Sequence, residues 1–207
     1  MPHPIEPHPI ETESYRILDE RVDLSHLGDG ERAIVGRMIH ATADLSFAET
    51  ARIGADAVDA LTAAIGRGAP VIVDAAMVAA GITRYPTSCL LAEVPVAPEG
   101  STRSAAAFRL AAQRHPTGAV FVIGNAPTAL VELIDLAEAG SVSPAAVVGL
   151  PVGFVGAAES KARLWASALA PISVTNVGER GGSPPAAGAV NAIVRRVAAT
   201  QATGAGR

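Results

Sequence analysis

The stretch Ala119-Val120-Phe121-Val122-Ile123-Gly124-Asn125-Ala126-Pro127 decides the fold. Its unbroken apolar run has the length of a strand covered on both faces and is too short for a buried helix. Gly124 and Asn125 break the run, and Pro127 suits the first turn of a helix, where a missing amide hydrogen costs nothing. An amphipathic segment continues to Ala139, and a second apolar run follows from Ala145 to Leu150. Strand, helix and strand in that order form a βαβ unit with parallel strands.

The same alternation extends outward. Upstream, Pro70-Val71-Ile72-Val73-Asp74 reads as a strand followed by a helical turn to Gly81. Ser88 to Val96 reads as another strand and Ser101 to His115 as a helix. Downstream come a helix from Ala157 to Leu169, a strand from Ile172 to Val177 and a helix from Pro184 to Ala199. Towards the N-terminus, Asp29 to Ala43 and Phe47 to Arg67 read as helices, the second with Ile53, Ala57, Leu61 and Ile65 spaced by four. The pattern predicts a three-layer α/β/α domain over residues 14–199, with a mostly parallel, doubly wound sheet and an added N-terminal helical segment. Residues 1–13 repeat Pro-His-Pro-Ile-Glu in tandem (Pro2 to Glu6, then Pro7 to Glu11) and predict an extended arm. Residues 200–207 predict a flexible tail.

Hydrophobic residues make up 49% of the 207 but aromatics only 3%, so Ala, Val, Ile and Leu must build the core. Sixteen basic against twenty acidic residues leave a net charge of −4, which argues against a nucleic-acid partner. The single cysteine, Cys89, excludes an internal disulfide framework and a cysteine-rich zinc site; inside its apolar run it reads as core. No run approaches the roughly 18 apolar residues of a membrane span, and the N-terminus lacks a secretory signal pattern. The expectation is a cytoplasmic protein with no membrane partner.

In a parallel sheet, ligands bind beyond the carboxyl ends of the strands. The segments after the expected strands are rich in Gly, Ser, Thr, Asn and Arg, and with Arg37, Arg84, Arg103 and Arg180 they suit a ligand bearing several carboxylates or phosphates. Neither Gly-x-Gly-x-x-Gly nor Gly-x4-Gly-Lys-Ser/Thr occurs, and His-Glu-x-x-His and Gly-x-Ser-x-Gly are missing too, so no nucleotide cofactor, catalytic metal or hydrolase elbow is expected. In the helix from Asp29, Ile34, Val35, Met38 and Ile39 form an apolar stripe, while Ala33, Gly36, Arg37 and His40 fall opposite it. Arg37 and His40 are surface neighbours. From spacing alone that face is either solvated or built for close approach of a ligand or partner. Trp165 and Phe108 read as core anchors, and core packing is open to Phe47 and Phe154 as well.

Two long strings, Val122-Ile123-Gly124-Asn125-Ala126-Pro127-Thr128-Ala129-Leu130 and Val148-Gly149-Leu150-Pro151-Val152-Gly153-Phe154-Val155-Gly156-Ala157-Ala158-Glu159-Ser160-Lys161, resemble the precorrin-8X methylmutase family. So do Arg37-Met38-Ile39-His40-Ala41, Asp74-Ala75-Ala76-Met77-Val78, Gly81-Ile82-Thr83-Arg84, Thr102-Arg103-Ser104-Ala105-Ala106 and Arg180-Gly181-Gly182-Ser183. The resemblance runs from about Ser14 to Val197. It implies an isomerase of cobalamin biosynthesis that moves a methyl group from C-11 to C-12 of precorrin-8X, giving hydrogenobyrinate, or acts likewise on cobalt-precorrin-8 to give cobyrinate. The family's catalytic histidine matches His40, and the resemblance implies that, as proton donor, it protonates or hydrogen-bonds to the ring C region. Ser14, Arg37, Thr83, Arg84, Arg103 and Asn125 are implied as substrate-binding residues. It further implies no cofactor, a corrinoid tetrapyrrole as ligand, and a homodimer with the site near the subunit interface, against which the face around Gly36 could pack. The alternative from another class is a non-catalytic corrinoid carrier, for which a proton donor at His40 would be needless. A nicotinamide-dependent oxidoreductase is the weakest reading, since its glycine fingerprint is missing.

Overall fold

In strand β3 (Val120–Ile123), Val120 and Val122 belong to one apolar cluster and Phe121 and Ile123 to another. That alternation follows from the pleat, which sends successive side chains to opposite faces. The computed structural model describes residues 8–204. β3 lies inside a five-stranded sheet with β1 (Ala51–Ile53), β2 (Val71–Val73), β4 (Ala146–Gly149) and β5 (Ser173–Asn176), in the order β1-β5-β4-β3-β2. β2 to β5 are parallel, and β1 pairs antiparallel with β5.

Phe121, Ile123, Ile72 and Val147 meet one helical layer, made of α6 (Arg103–Arg114), α7 (Pro127–Glu138) and α8 (Ala157–Ala166). Val71, Val73, Val122, Val148 and Val174 meet the other, made of α2 (Asp29–Thr42), α4 (Ala57–Gly66), α5 (Ala76–Gly81) and α9 (Ser183–Gly204). Phe121 and Phe108 stack obliquely with centroids 5.6 Å apart, and both are fully buried. Each such side chain contributes about 1.5–3 kcal/mol by leaving water. The three-layer, mostly parallel architecture is the one expected. Its winding is simpler than a doubly wound sheet, because β2, β3, β4 and β5 advance in one direction. The second layer comes chiefly from α2, α4 and α9, which lie outside the crossovers.

Five local expectations need correction. The helix foreseen over Phe47 to Arg67 is interrupted: α3 (Phe47–Thr50) gives way to β1 before α4 begins. β1 forms because its backbone can pair with the edge of β5, and Gly54 then lets the chain pass over the Ala170 carbonyl, which a Cβ would approach to 2.1 Å. The apolar spacing survives in Ala57, Leu61 and Ile65, which are all buried. The strand foreseen over Ser88 to Val96 shrinks to Ser88, whose amide donates to Val71 O and whose carbonyl accepts from Val73 N. Leu90–Glu93 then turns as a 3-10 helix, since Leu, Ala and Glu favour helical geometry over strand, and Cys89 is only half-buried.

The extended arm is the third correction: α1 (Pro9–Arg21) already begins in the second repeat copy, with Pro9 in its first turn and His8 Nδ1 accepting from the Ile10 amide. Residues 1–7 and 205–207 lie outside the described residues, while α9 continues through residues 200–204 that were expected to fray. Finally, Trp165 is 40% exposed rather than core, and it borders a surface cavity of about 210 Å³ next to β1.

Asp74, at the carboxyl end of β2, organises the turn that carries Asn125. Its Oδ1 accepts from the Gly124 amide, and its Oδ2 from those of Asn125 and Ala126, at 2.6–3.0 Å. Burial raises its pKa, while the amide donors favour the ionised form and oppose the rise. Asp74→Asn exchanges an acceptor oxygen for a donor aimed at an amide hydrogen. It should lower unfolding free energy by about 2 kcal/mol in urea titrations.

Candidate active site

α2 starts with Glu31 accepting from the Gly28 amide and ends at Ala43, whose φ of 55° takes the backbone out of the helix three residues past His40. Its apolar stripe is buried as expected. The opposite face is covered, but by this chain's own α1. Tyr15 lies 3.8 Å from where a Cβ on Gly36 would stand, so within one chain α1 is the neighbour of Gly36.

α1 also supplies the surroundings of His40. Ser14 Oγ lies 2.8 Å from His40 Nδ1, and the Tyr15 ring stacks on the imidazole with centroids 5.0 Å apart and planes 7° off parallel. Among the described residues, His40 Nε2 has no hydrogen-bond partner. One ring nitrogen is therefore fixed and the other is available, the arrangement a positioned proton donor or acceptor requires.

A charge cluster adjoins the ring. Arg37 donates to Glu11 and, at 3.3 Å, to the Tyr15 hydroxyl. From α9, Arg195 donates to both oxygens of the same Glu11, at 2.6 and 3.2 Å. Burial against α1 pushes the His40 pKa below its usual value, Arg37 and Arg195 push it further down, and Glu11 partly opposes them. Glu11 itself is held below the usual carboxylate range, because its two guanidinium partners outweigh its desolvation. No spacing could have shown this cluster, since Glu11 and Arg195 stand at opposite ends of the chain. Tyr15, next to Ser14, was the one local signal passed over.

α9 draws the pieces together. Gly188 packs so closely on α2 that a Cβ would stand 3.1 Å from the Arg37 carbonyl oxygen. Three residues on, Asn191 donates to Gly81 O and accepts from the Thr83 amide, which ties the Thr83-Arg84 segment to the helix that carries Arg195. Thr83 and Arg84 are exposed. Arg103 is engaged elsewhere: its guanidinium donates to Val94 O at 2.7 Å and Leu91 O at 3.0 Å, holding the 3-10 turn. Asn125 is exposed on the β3–α7 turn. Among the described residues, no hydrogen bond, ion pair or ring contact joins Arg84, Arg103 or Asn125 to His40. A shallow cavity of about 660 Å³, between the end of α1 and α3, is lined by His26 and Arg21 and does not reach His40.

At the carboxyl edge of the sheet a second polar cluster appears. Lys161 is 1% exposed and donates to Asn176 Oδ1 at 3.1 Å and to the Arg180 carbonyl. Burial lowers its pKa to about 8. Its position was legible, because Ala157, Ser160, Lys161 and Leu164 repeat at helical spacing and all are buried. The Arg180 side chain pairs with Asp44 just past α2. Beside these loops Phe154 is 90% and Val155 87% exposed, so Phe154 is not core, whereas Phe47 is. Among the described residues no set of His, Cys, Asp or Glu is grouped to hold a metal ion, and no helix is long and apolar enough to cross a membrane.

The family model for precorrin-8X methylmutase matches residues 9–196. The chain is 41% identical to a precorrin-8X methylmutase of Pseudomonas aeruginosa, over 89% of this chain and 93% of the relative. It is 40% identical to a cobalt-precorrin-8 methylmutase of Methanothermobacter thermautotrophicus, over 83% and 84% of the two chains. Among solved structures, precorrin-8X methylmutase from Thermus thermophilus superposes with a TM-score of 0.83 at 35% identity, covering 92% of this chain and 96% of that one. A fold, a half-buried histidine and a match from the first helix to the last thus agree: this chain belongs to the precorrin-8X methylmutase family, isomerases of cobalamin biosynthesis.

Proposed function

We propose that the protein moves a methyl group from C-11 to C-12 of precorrin-8X, or of cobalt-precorrin-8, giving hydrogenobyrinate or cobyrinate, with His40 as proton donor. The observation that carries this reading is the imidazole anchored at Nδ1 by Ser14, stacked on Tyr15 and open at Nε2. In the imidazolium form Nδ1 donates to the Ser14 hydroxyl, and the proton to be given sits on Nε2. From there it reaches the ring C region as the methyl moves, and it returns to the imidazole afterwards. The migrating methyl leaves one carbon and bonds to its neighbour in the same molecule, so nothing is consumed. Holding the macrocycle still supplies the remaining catalysis. Ser14, Arg37, Thr83, Arg84, Arg103 and Asn125 are assigned to the polar and carboxylate groups on its rim.

The protein acts in the cytoplasm as a homodimer, with the site near the subunit interface. Supporting this, Phe154 and Val155 are too exposed to be stable ornaments of a monomer. The Gly153 amide donates to Glu179 O, which couples their loop to the one bearing half-exposed Val177.

Four outcomes are expected. His40→Ala should lower kcat for precorrin-8X conversion by about 10²–10⁴-fold while corrinoid binding stays within a few-fold; conversion at the original rate would remove His40 from the chemistry. A donor acts in its protonated form, so kcat/KM should rise as pH falls, with a midpoint below the usual histidine value near 6.5. Arg195→Gln should move that midpoint up, since one of the charges depressing it is gone. Sedimentation velocity should give twice 20.9 kDa for the wild type, with Phe154→Asp shifting it towards the monomer.

A further inference from the structure

The Glu11 carboxylate has two guanidinium partners, and Arg37, Arg195 and Glu11 side chains retain only 18%, 33% and 16% of their exposure. Two cations against one anion leave an uncancelled positive charge next to His40. The anion is also weakly tethered. Glu11 is in the first turn of α1, the neighbouring Ile10 and Thr12 are exposed, and Leu18 is the sole buried residue in the helix. A first turn with so little apolar anchorage opens at low free-energy cost. The Arg37–Arg195 pair, by contrast, is carried by α2 and α9, which pack backbone to backbone at Gly188. The receptor is rigid and its occupant is not.

From this geometry we infer that Arg37 and Arg195 form a carboxylate subsite beside His40, occupied by Glu11 in the free protein and taken over by a peripheral carboxylate of the tetrapyrrole. Glu11 then turns outward with the first turn of α1. The exchange swaps one carboxylate for another, so the charge facing His40 from α1, α2 and α9 is conserved. Glu11 acts as an internal competitor that keeps the two guanidiniums paired until substrate arrives, and Arg195 becomes a specificity residue for acidic rim substituents. The inference rests on the function proposed above.

The test titrates hydrogenobyrinic acid into the wild type, Glu11→Gln, Glu11→Asp and Glu11→Gln/Arg195→Gln. Removing the competitor should tighten binding about fivefold in Glu11→Gln, the worth of a part-exposed ion pair. Glu11→Asp, whose shorter arm cannot span both guanidiniums, should tighten it less. The double variant should bind weaker than Glu11→Gln by about tenfold. Unchanged or weaker binding by both single variants, with the helical circular dichroism of the wild type, overturns the subsite and leaves the methylmutase reading intact. Failure of every form, wild type included, to bind the corrinoid overturns both.

Discussion

The close approach of α9 to α2 at Gly188 is the constraint on which the site depends. A side chain there would press on the Arg37 carbonyl and wedge the helices apart. With hydrogen in its place, one face of α9 reaches three elements at once: Gly188 touches α2, Asn191 holds the segment leading to Thr83, and Arg195 reaches Glu11 on α1. The spacing of three and four residues is that of a single helical face. The sheet matters to the chemistry mainly because Val190 and Ile193, on the opposite face of α9, are buried in the cluster it shares with the strands and fix the helix in place.

Electrostatics then sets the resting state of His40. Burial and two nearby guanidiniums both disfavour the imidazolium, so in the free protein the ring is biased towards neutrality, and Glu11 limits the effect. The neutral ring offers its Nε2 hydrogen only as a hydrogen-bond donor, and the imidazolium is the form that gives a proton. In the proposed complex, rim carboxylates beyond the one that replaces Glu11 add negative charge near the ring, and so populate the imidazolium that gives up the proton. This is a plain consequence of charge complementarity and needs no conformational machinery beyond the first turn of α1.

How much of this was legible in the sequence depended on range. The βαβ units could be read because strands covered on both faces are apolar without interruption, as Val120 to Ile123 are. β1 could not: three residues whose pairing partner lies more than a hundred positions away sit inside a helical periodicity that α4 really does follow. The 3-10 turn at Leu90 was mistaken for a strand because short apolar runs carry no period. At the site, Arg37 and His40 were legible as neighbours on one helix, and Ser14 by resemblance. Glu11 and Arg195 were not, since their meaning arises only when both ends of the chain meet, and Tyr15 had as its signal only its place beside Ser14. At Arg103 the spacing did not show that two of its donors hold the carbonyls of a neighbouring turn.

The most direct measurement is nitrogen-15 NMR of the His40 imidazole, with and without saturating hydrogenobyrinic acid at neutral pH. The expected spectrum of the free protein is a neutral ring with its proton on Nε2 and an accepting Nδ1, and the Nε2 resonance should shift strongly when the corrinoid binds. A proton on Nδ1 alone, or an Nε2 signal indifferent to bound ligand, would contradict the role of this histidine as the group that meets the ring.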